Sequence, residues 1–182
     1  MTLTNRYAAL AALIDQQRET VLATWLEQQF AVLSLRRDPT RDGVLREQSH
    51  RFLELFADAL QQDPTGNLSQ PVWDETRELL TSVSRSRAQQ GFTPTETANF
   101  VFSLKRPLFD LTVSQGGDDT ASVVLQISHL LDQLGLFTTE VYQASREALI
   151  SNQQEELLEL STPVVSLHDG ILALPLIGTL DS

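Results

Sequence analysis

The chain changes character once, at Ser161-Thr162-Pro163, and this change sets the organisation of the whole sequence. Before it, the residues from Thr139 onward follow a helical and mostly polar pattern. After it, two apolar runs flank Asp169-Gly170, which is a strong signal for a β-hairpin. Two strands are not stable alone. The sequence therefore predicts a helix that leads out of one domain into the truncated start of a second domain, of α/β type.

Residues 1–138 carry apolar side chains at helical spacing, which predicts an all-helical body. Clusters of turn-forming residues separate its helices. They predict a loop at Asp38–Gly43 and a turn at Asp63–Asn67. A helix should then run from Pro71 to about Gln90, because proline suits a first helical turn.

Local signals are clearest around the next helix. Gly91 stands where a glycine commonly ends a helix, and Thr93 with Glu96 forms a capping box that begins another. Pro107 falls inside that helix and should kink it, because proline removes one backbone hydrogen bond. A further helix runs from Thr120 to about Leu160, a length of roughly 60 Å, and Gly135 is a point at which it could bend.

Residues 139–161 form the linker helix, which is too polar to be stable alone and needs a partner helix or a following domain. A thin apolar seam runs along it. A parallel dimer with Ile150 and Leu157 at a positions, and Gln153 and Leu160 at d positions, accounts for that seam. Residues 162–182 are then the opening of the second domain.

Composition excludes several classes of function. The chain has no cysteine, so disulfides, zinc–thiolate sites and thiol catalysis are ruled out. Its net charge is −11 and Lys105 is its only lysine, so binding to nucleic acid or to anionic lipid is not expected. No apolar stretch is long enough to cross a membrane, and no signal peptide is recognisable. These features predict a cytoplasmic protein.

Few residues suggest a catalytic, metal-binding or cofactor-binding site. Glu47 and His50 have the spacing of one half of a di-metal motif, but no second half exists, so we expect no metal site. His129 or, less favourably, His50 could serve as the axial ligand of a haem in an apolar cleft. The serines and histidines form no recognisable catalytic arrangement, so we predict no enzyme. The basic pairs Arg85/Arg87 and Lys105/Arg106 are more typical of internal ion-pair partners than of anion sites.

Two stretches resemble a known family. Residues Glu159–Ser182, ELSTPVVSLHDGILALPLIGTLDS, resemble the entry into the STAS domain of RsbR-type stressosome proteins. Residues Ser84–Glu96, SRSRAQQGFTPTE, and the following FVFSLK resemble the RsbRD-type N-terminal sensor domain of the same proteins. The first seventy residues share only the general helical pattern.

The resemblance implies a function and partners. Proteins of RsbR type assemble with a smaller STAS protein, RsbS, and hold the switch kinase RsbT until stress releases it. Their N-terminal domains are dimeric turrets with a globin-like or related helical fold. The residue that follows the aspartate of the family's G-x-x-D motif accepts phosphate, which here implies Ser182 after Asp181.

We therefore expect an all-α sensor domain, a linker helix and a truncated STAS start. The expected function is that of a cofactor-free RsbR-type subunit and RsbT co-antagonist. The alternative is a haem-binding gas or redox sensor of the same architecture.

Overall fold

The computed structural model describes residues 3–32, 39–116, 119–160, 165–168 and 171–173. Seven α-helices and two short strands follow one another in these ranges, with a 3-10 turn at Pro71–Trp73 before the fourth helix. The elements are α1 (Leu3–Gln16), α2 (Arg18–Val32), α3 (Pro39–Gln62), α4 (Asp74–Gln89), α5 (Pro94–Phe102), α6 (Lys105–Gln115), α7 (Thr120–Leu160), β1 (Val165–His168) and β2 (Ile171–Ala173).

The helices pack into one bundle with α7 along one side. Helix α7 packs against α4, α5 and α6, while α1 and α2 pack against α3 on the other side. The prediction of an all-α bundle with a long C-terminal helix is therefore confirmed. In the described ranges, no helix is long and apolar enough to cross a membrane.

An aromatic cluster forms the centre of the bundle. Trp25 lies between Phe52 and Phe100, with ring centroids 5.6 Å and 5.2 Å away, and Phe56 joins Phe52 to Trp73. All five side chains are buried. The indole N–H of Trp25 donates to the Phe100 carbonyl at 3.1 Å and to the Ser103 hydroxyl at 2.9 Å, which satisfies its polar atom inside the core.

The turn after α3 is organised by one buried carboxylate. Asp63 accepts hydrogen bonds from the backbone N–H groups of Thr65 and Asn67, both at 2.8 Å, and from the indole of Trp73 at 2.9 Å. Burial alone would raise the pKa of Asp63, but these bonds and the Thr65 hydroxyl outweigh burial and lower the pKa. The predicted turn at Asp63–Asn67 is thus held to the core through Trp73.

The predicted loop at Asp38–Gly43 is wrong for the residues that are described. Helix α3 begins at Pro39 and includes Gly43. Proline is tolerated in a first helical turn because the N–H it lacks would have no partner there. The acidic side chain of Asp42 also favours that end of a helix. Residue 38 lies outside the described residues.

The predicted kink at Pro107 is a full break. Helix α5 ends at Phe102 and α6 begins at Lys105. A proline ring clashes with the carbonyl of the residue four positions earlier, which here is Ser103. The chain therefore leaves the helix at Ser103, and Pro107 lies in the first turns of α6, where its missing N–H is tolerated.

Strands β1 and β2 pair antiparallel, with Val165 opposite Ala173 and Ser166 opposite Leu172. This matches the hairpin that the sequence predicts. Its turn, Asp169-Gly170, and residues 161–164 and 174–182 lie outside the described residues. The assignment of this hairpin to the start of a STAS domain stays a prediction.

Candidate functional site at the base of the long helix

Tyr142 is the last buried residue along the described part of α7. Its hydroxyl donates a hydrogen bond of 2.6 Å to the backbone carbonyl of Phe92, in the connection between α4 and α5. A buried carbonyl without a donor is costly, so this bond favours one position of α7 against the connection. We call this connection together with the first turn of α5, residues 90–96, the α4–α5 corner.

Glycine and a capping box give the α4–α5 corner its shape. Gly91 has a φ of 75°, and the N–H of Phe92 reaches back to the Arg87 carbonyl at 3.0 Å. Thr93 and Glu96 then cap α5 reciprocally, with bonds of 3.1 Å and 2.7 Å. Both predictions, the helix-ending glycine and the capping box, are confirmed. The corner therefore has few alternative conformations.

Arg87 is a buried cation beneath the α4–α5 corner. It donates to the backbone carbonyl of Glu96 at 3.0 Å, and its guanidinium lies 5.0 Å from the ring centre of Phe100 and 5.5 Å from that of Phe92. Burial lowers the pKa of Arg87 to about 10, and the Glu96 carboxylate opposes this shift. Arg87 is thus still charged at neutral pH and ties α4 to the start of α5.

A second contact holds α7 about two turns earlier. The ring of Phe102, at the end of α5, lies directly against Gly135. Beside it, the ammonium group of Lys105 pairs with Asp132 at 2.6 Å. Lys105 is therefore an ion-pair partner within the domain, as its basic pair predicts, whereas the hydrogen bond of Arg87 is to a backbone carbonyl.

Beyond Tyr142, α7 leaves the bundle. Ile150 is 41% exposed and Leu157 is 65% exposed, and Gln153 is also exposed. Leu136 is exposed as well and precedes Ile150 by two heptads. We call Leu136, Ile150 and Leu157 the apolar stripe of α7. The side chain of Leu160, the fourth predicted dimer residue, lies outside the described residues.

The family model of the RsbT co-antagonist protein rsbRD N-terminal domain matches residues 19–157. The chain belongs to this family. The resemblance drawn from Ser84–Glu96 is therefore confirmed. Neither a curated protein nor a solved structure matches the chain.

The RsbRD-type match begins in α2 and continues along α7 almost to its end. The matched region therefore includes the bundle helices from α2 onward and most of the exposed part of α7. The α4–α5 corner, Gly135 and the apolar stripe all fall within it.

The two candidate haem ligands of this RsbRD-type domain lie apart on its surface. The Nδ1 atom of His50 faces the Glu54 carboxylate at 3.7 Å, and the Nε2 atom of His129 lies 3.1 Å from the Gln133 amide. His129 also borders an open depression of about 610 Å³ between α1, the turn after α3 and α7. Within the ranges described, no three histidine, aspartate or glutamate side chains are grouped to hold a metal. Haem binding stays a prediction.

Sequence reasoning missed the contacts that join α7 to the bundle. Tyr142 and Phe92 are far apart in sequence, and so are Lys105 and Asp132. The single glycine of α7 was the one available signal, and the sequence suggests only a bend there. Ser182, the candidate phosphoacceptor, lies outside the described residues.

Proposed function

We propose that this chain is the sensory N-terminal part of an RsbR-type stressosome subunit. In this proposal the bundle receives a stress signal, and α7 relays it to a STAS domain that controls a switch kinase. One observation carries the proposal: α7 is a single helix that packs against three bundle helices and then continues beyond them. The family match covers both parts of that helix.

The α4–α5 corner contacts α7 through Tyr142, and a change in the bundle can reach α7 through this contact. A signal can change the position of α7 only if it favours one arrangement of the bundle over another. Tyr142 contacts the corner through a backbone carbonyl, so a movement of the corner displaces α7 directly. Because a helix is stiff over this length, such a displacement would reach residues far from the bundle.

The apolar stripe supports a homodimer formed through the linker helix. Leu157 follows Ile150 by one heptad, so both lie on the same side of α7 in a coiled coil. Exposed leucine and isoleucine side chains on a helix that has left its bundle are stabilised by a second copy of that helix. Two parallel α7 helices would bring the two bundles side by side and point both chains toward the same following domain.

The partners follow from the family. We propose that the intact subunit assembles with an RsbS-type STAS protein and holds an RsbT-type kinase, which phosphorylates Ser182. The acidic charge of the chain disfavours nucleic acid, and we place the assembly in the cytoplasm. We assign the domain no catalytic activity and no cofactor.

Reconstitution tests this proposal. The intact subunit, an RsbS-type protein and an RsbT-type kinase are mixed, and kinase retained in the large assembly is measured by sedimentation. We expect the kinase to be retained, and we expect residues 1–160 alone to retain none, because binding belongs to the STAS part. An intact subunit that neither assembles nor retains kinase would show the proposal to be wrong.

A further inference from the structure

The contact between α5 and α7 is unusually close at one point. Gly135 has no side chain, and the ring of Phe102 stands where a Cβ atom at that position would be. A Cβ at 135 would lie 2.9 Å from the Cδ1 atom of Phe102 and still closer to Cε1 and Cζ. The ring therefore fills a notch that only glycine leaves open. We call this pair the Phe102–Gly135 contact.

The notch occurs once in α7. Gly135 is the only glycine between Thr120 and Leu160. If α7 slid by one turn in either direction, the ring of Phe102 would face Leu131, Asp132, Thr138 or Thr139 instead. Each of these residues carries a Cβ in the space that the ring needs. The contact therefore fits one position of α7 along α5 and excludes the neighbouring ones.

The ammonium group of Lys105 lies over the ring of Phe102. Its ammonium nitrogen lies 5.5 Å from the ring centre and 2.6 Å from Oδ1 of Asp132, one turn before Gly135. Ser128 donates to the other oxygen of Asp132 at 3.4 Å. This ion pair joins the start of α6 to α7 beside the ring of Phe102.

The backbone carbonyl of Gly135 accepts hydrogen bonds from two side chains of the same helix. The hydroxyls of Thr138 and Thr139 both donate to the carbonyl of Gly135, at 2.6 Å and 3.1 Å. Hydroxyl donation to a carbonyl within the same helix favours bending, and glycine weakens the helix further. Gly135 is thus the point of α7 that deforms most easily once the ring no longer supports it.

We propose that the Phe102–Gly135 contact is a lock that fixes the register of α7 on the bundle. Phe102 is only half-buried, so its ring can turn out toward solvent without opening the aromatic core. With the ring in the notch, α7 is held in one position. With the ring withdrawn, this contact no longer excludes the neighbouring registers of α7, and the helix can bend at Gly135. The use of this lock in signalling rests on the proposed function, whereas the lock itself does not.

Stability measurements test the contact. Gly43 is a matched control, because it also lies in a helix and a Cβ there would meet nothing within 4 Å. We expect Gly43→Ala to raise the midpoint of thermal unfolding by about 1–4 °C, from helix propensity alone. Gly135→Ala should instead lower it by about 2–10 °C, because the added methyl overpacks the notch.

A double variant separates overpacking from other effects. In a Phe102→Ala background the notch is empty, so adding Gly135→Ala should be neutral or stabilising, as Gly43→Ala is. If Gly135→Ala stabilises the parent chain, or destabilises the Phe102→Ala variant as much as the parent, the contact does not exist as described.

Distance measurements test the lock. The chain has no cysteine, so spin labels can be placed at Gln89→Cys on α4 and Gln154→Cys on α7 without removing native thiols. Labelled chain is mixed with excess unlabelled chain, so that distances within one chain dominate. We expect one narrow distance distribution in the parent, and broadened distributions in both Phe102→Ala and Gly135→Ala.

The control for general loosening is Phe109→Ala, which removes another half-buried phenylalanine from the neighbouring helix α6. Its distribution should stay narrow. An unchanged distribution in Phe102→Ala, or equal broadening in Phe109→Ala, would overturn the lock. Neither measurement uses the kinase or the STAS protein, so failure of the lock and failure of the proposed function are distinguishable.

Discussion

Asp63 shows how a single residue positions the elements around it. Its carboxylate accepts hydrogen bonds from two backbone N–H groups and from the indole of Trp73, and its side chain is buried. An asparagine has only one accepting oxygen, so Asp63→Asn leaves buried donors without an acceptor. We expect this variant to lower the free energy of unfolding by about 1–3 kcal/mol, measured by urea denaturation. Asp58→Asn, at an exposed position near the end of α3, should change the free energy of unfolding little.

The lowered pKa of Asp63 also predicts a pH dependence. The carboxyl group titrates near pH 4 in an unfolded chain and at lower pH in the folded one. Its contribution to stability is therefore full above about pH 4 and is lost as the pH falls through the lowered pKa. The parent should lose stability over this range more steeply than Asp63→Asn. Parallel curves for the two proteins would contradict this role for Asp63.

The surface positions of the histidines predict an absorption spectrum without a haem band. A haem needs an axial ligand beside an apolar slot. The slot between α2, α3 and α5 is filled by Trp25, Phe52 and Phe100, and both His50 and His129 lie on the surface. We expect no Soret band in protein expressed with haem supplied. A band that is lost in His129→Ala or His50→Ala would instead favour the haem-sensor alternative.

Contacts between individual residues can be predicted from the sequence where the two residues are close along the chain. The capping box of Thr93 and Glu96 is visible because its two residues are three positions apart and each satisfies the other. The bond from Tyr142 to Phe92 is invisible, because it depends on the path of the chain between them. The same holds for Phe102 and Gly135, whose closeness depends on how α5 crosses α7.

The exposed part of α7 is the element on which the proposed dimer depends. If its apolar stripe is a dimer seam, a charge within the seam should separate the chains. We expect Leu157→Lys to reduce the mass measured by light scattering from twice the chain mass to once, because a charge cannot be buried unpaired. The neighbouring Leu158 is 73% exposed but lies off the stripe, so Leu158→Lys should remain a dimer.

Either of two results would count against this seam. A parent chain that is monomeric at micromolar concentration would remove the dimer altogether. A dimer that persists in Leu157→Lys and dissociates in Leu158→Lys would place the seam on another face of α7. The four-residue set of Ile150, Gln153, Leu157 and Leu160 would then need a different register.

The sequence predicts which elements exist better than it predicts where they begin and end. Apolar spacing indicates helices throughout the body, and α4 and α7 appear over nearly the ranges that it predicts. Proline misleads in two places. Pro39 begins a helix although it follows a turn-forming aspartate, and Pro107 lies just inside a helix that begins after a break. In both places, the effect of the proline on the helix depends on its distance from the first residue of that helix. Where the helix begins is decided by packing against other elements, which the local sequence does not show.

At the scale of the whole molecule, the bundle and α7 form one mechanical unit. The aromatic core fixes α2, α3 and α5 against each other, while the α4–α5 corner and the Phe102–Gly135 contact join α7 to that core. The boundary between a sensor domain ending at residue 138 and a linker beginning at residue 139 stays a prediction, since α7 is continuous there. We propose that this continuous helix carries rotation or displacement from the bundle to the following domain.

Insertions into α7 of the intact subunit test that claim most directly. A seven-residue insertion after Gln154 turns the helix by nearly two full turns and leaves the following domain in almost its original orientation, off by about 20°. A two-residue insertion rotates that domain by about 200°. Retention of an RsbT-type kinase is measured for both by sedimentation. We expect the seven-residue insertion to keep normal retention of the kinase and the two-residue insertion to change it. Equal retention with both would mean that α7 acts as a tether, and would contradict the claim.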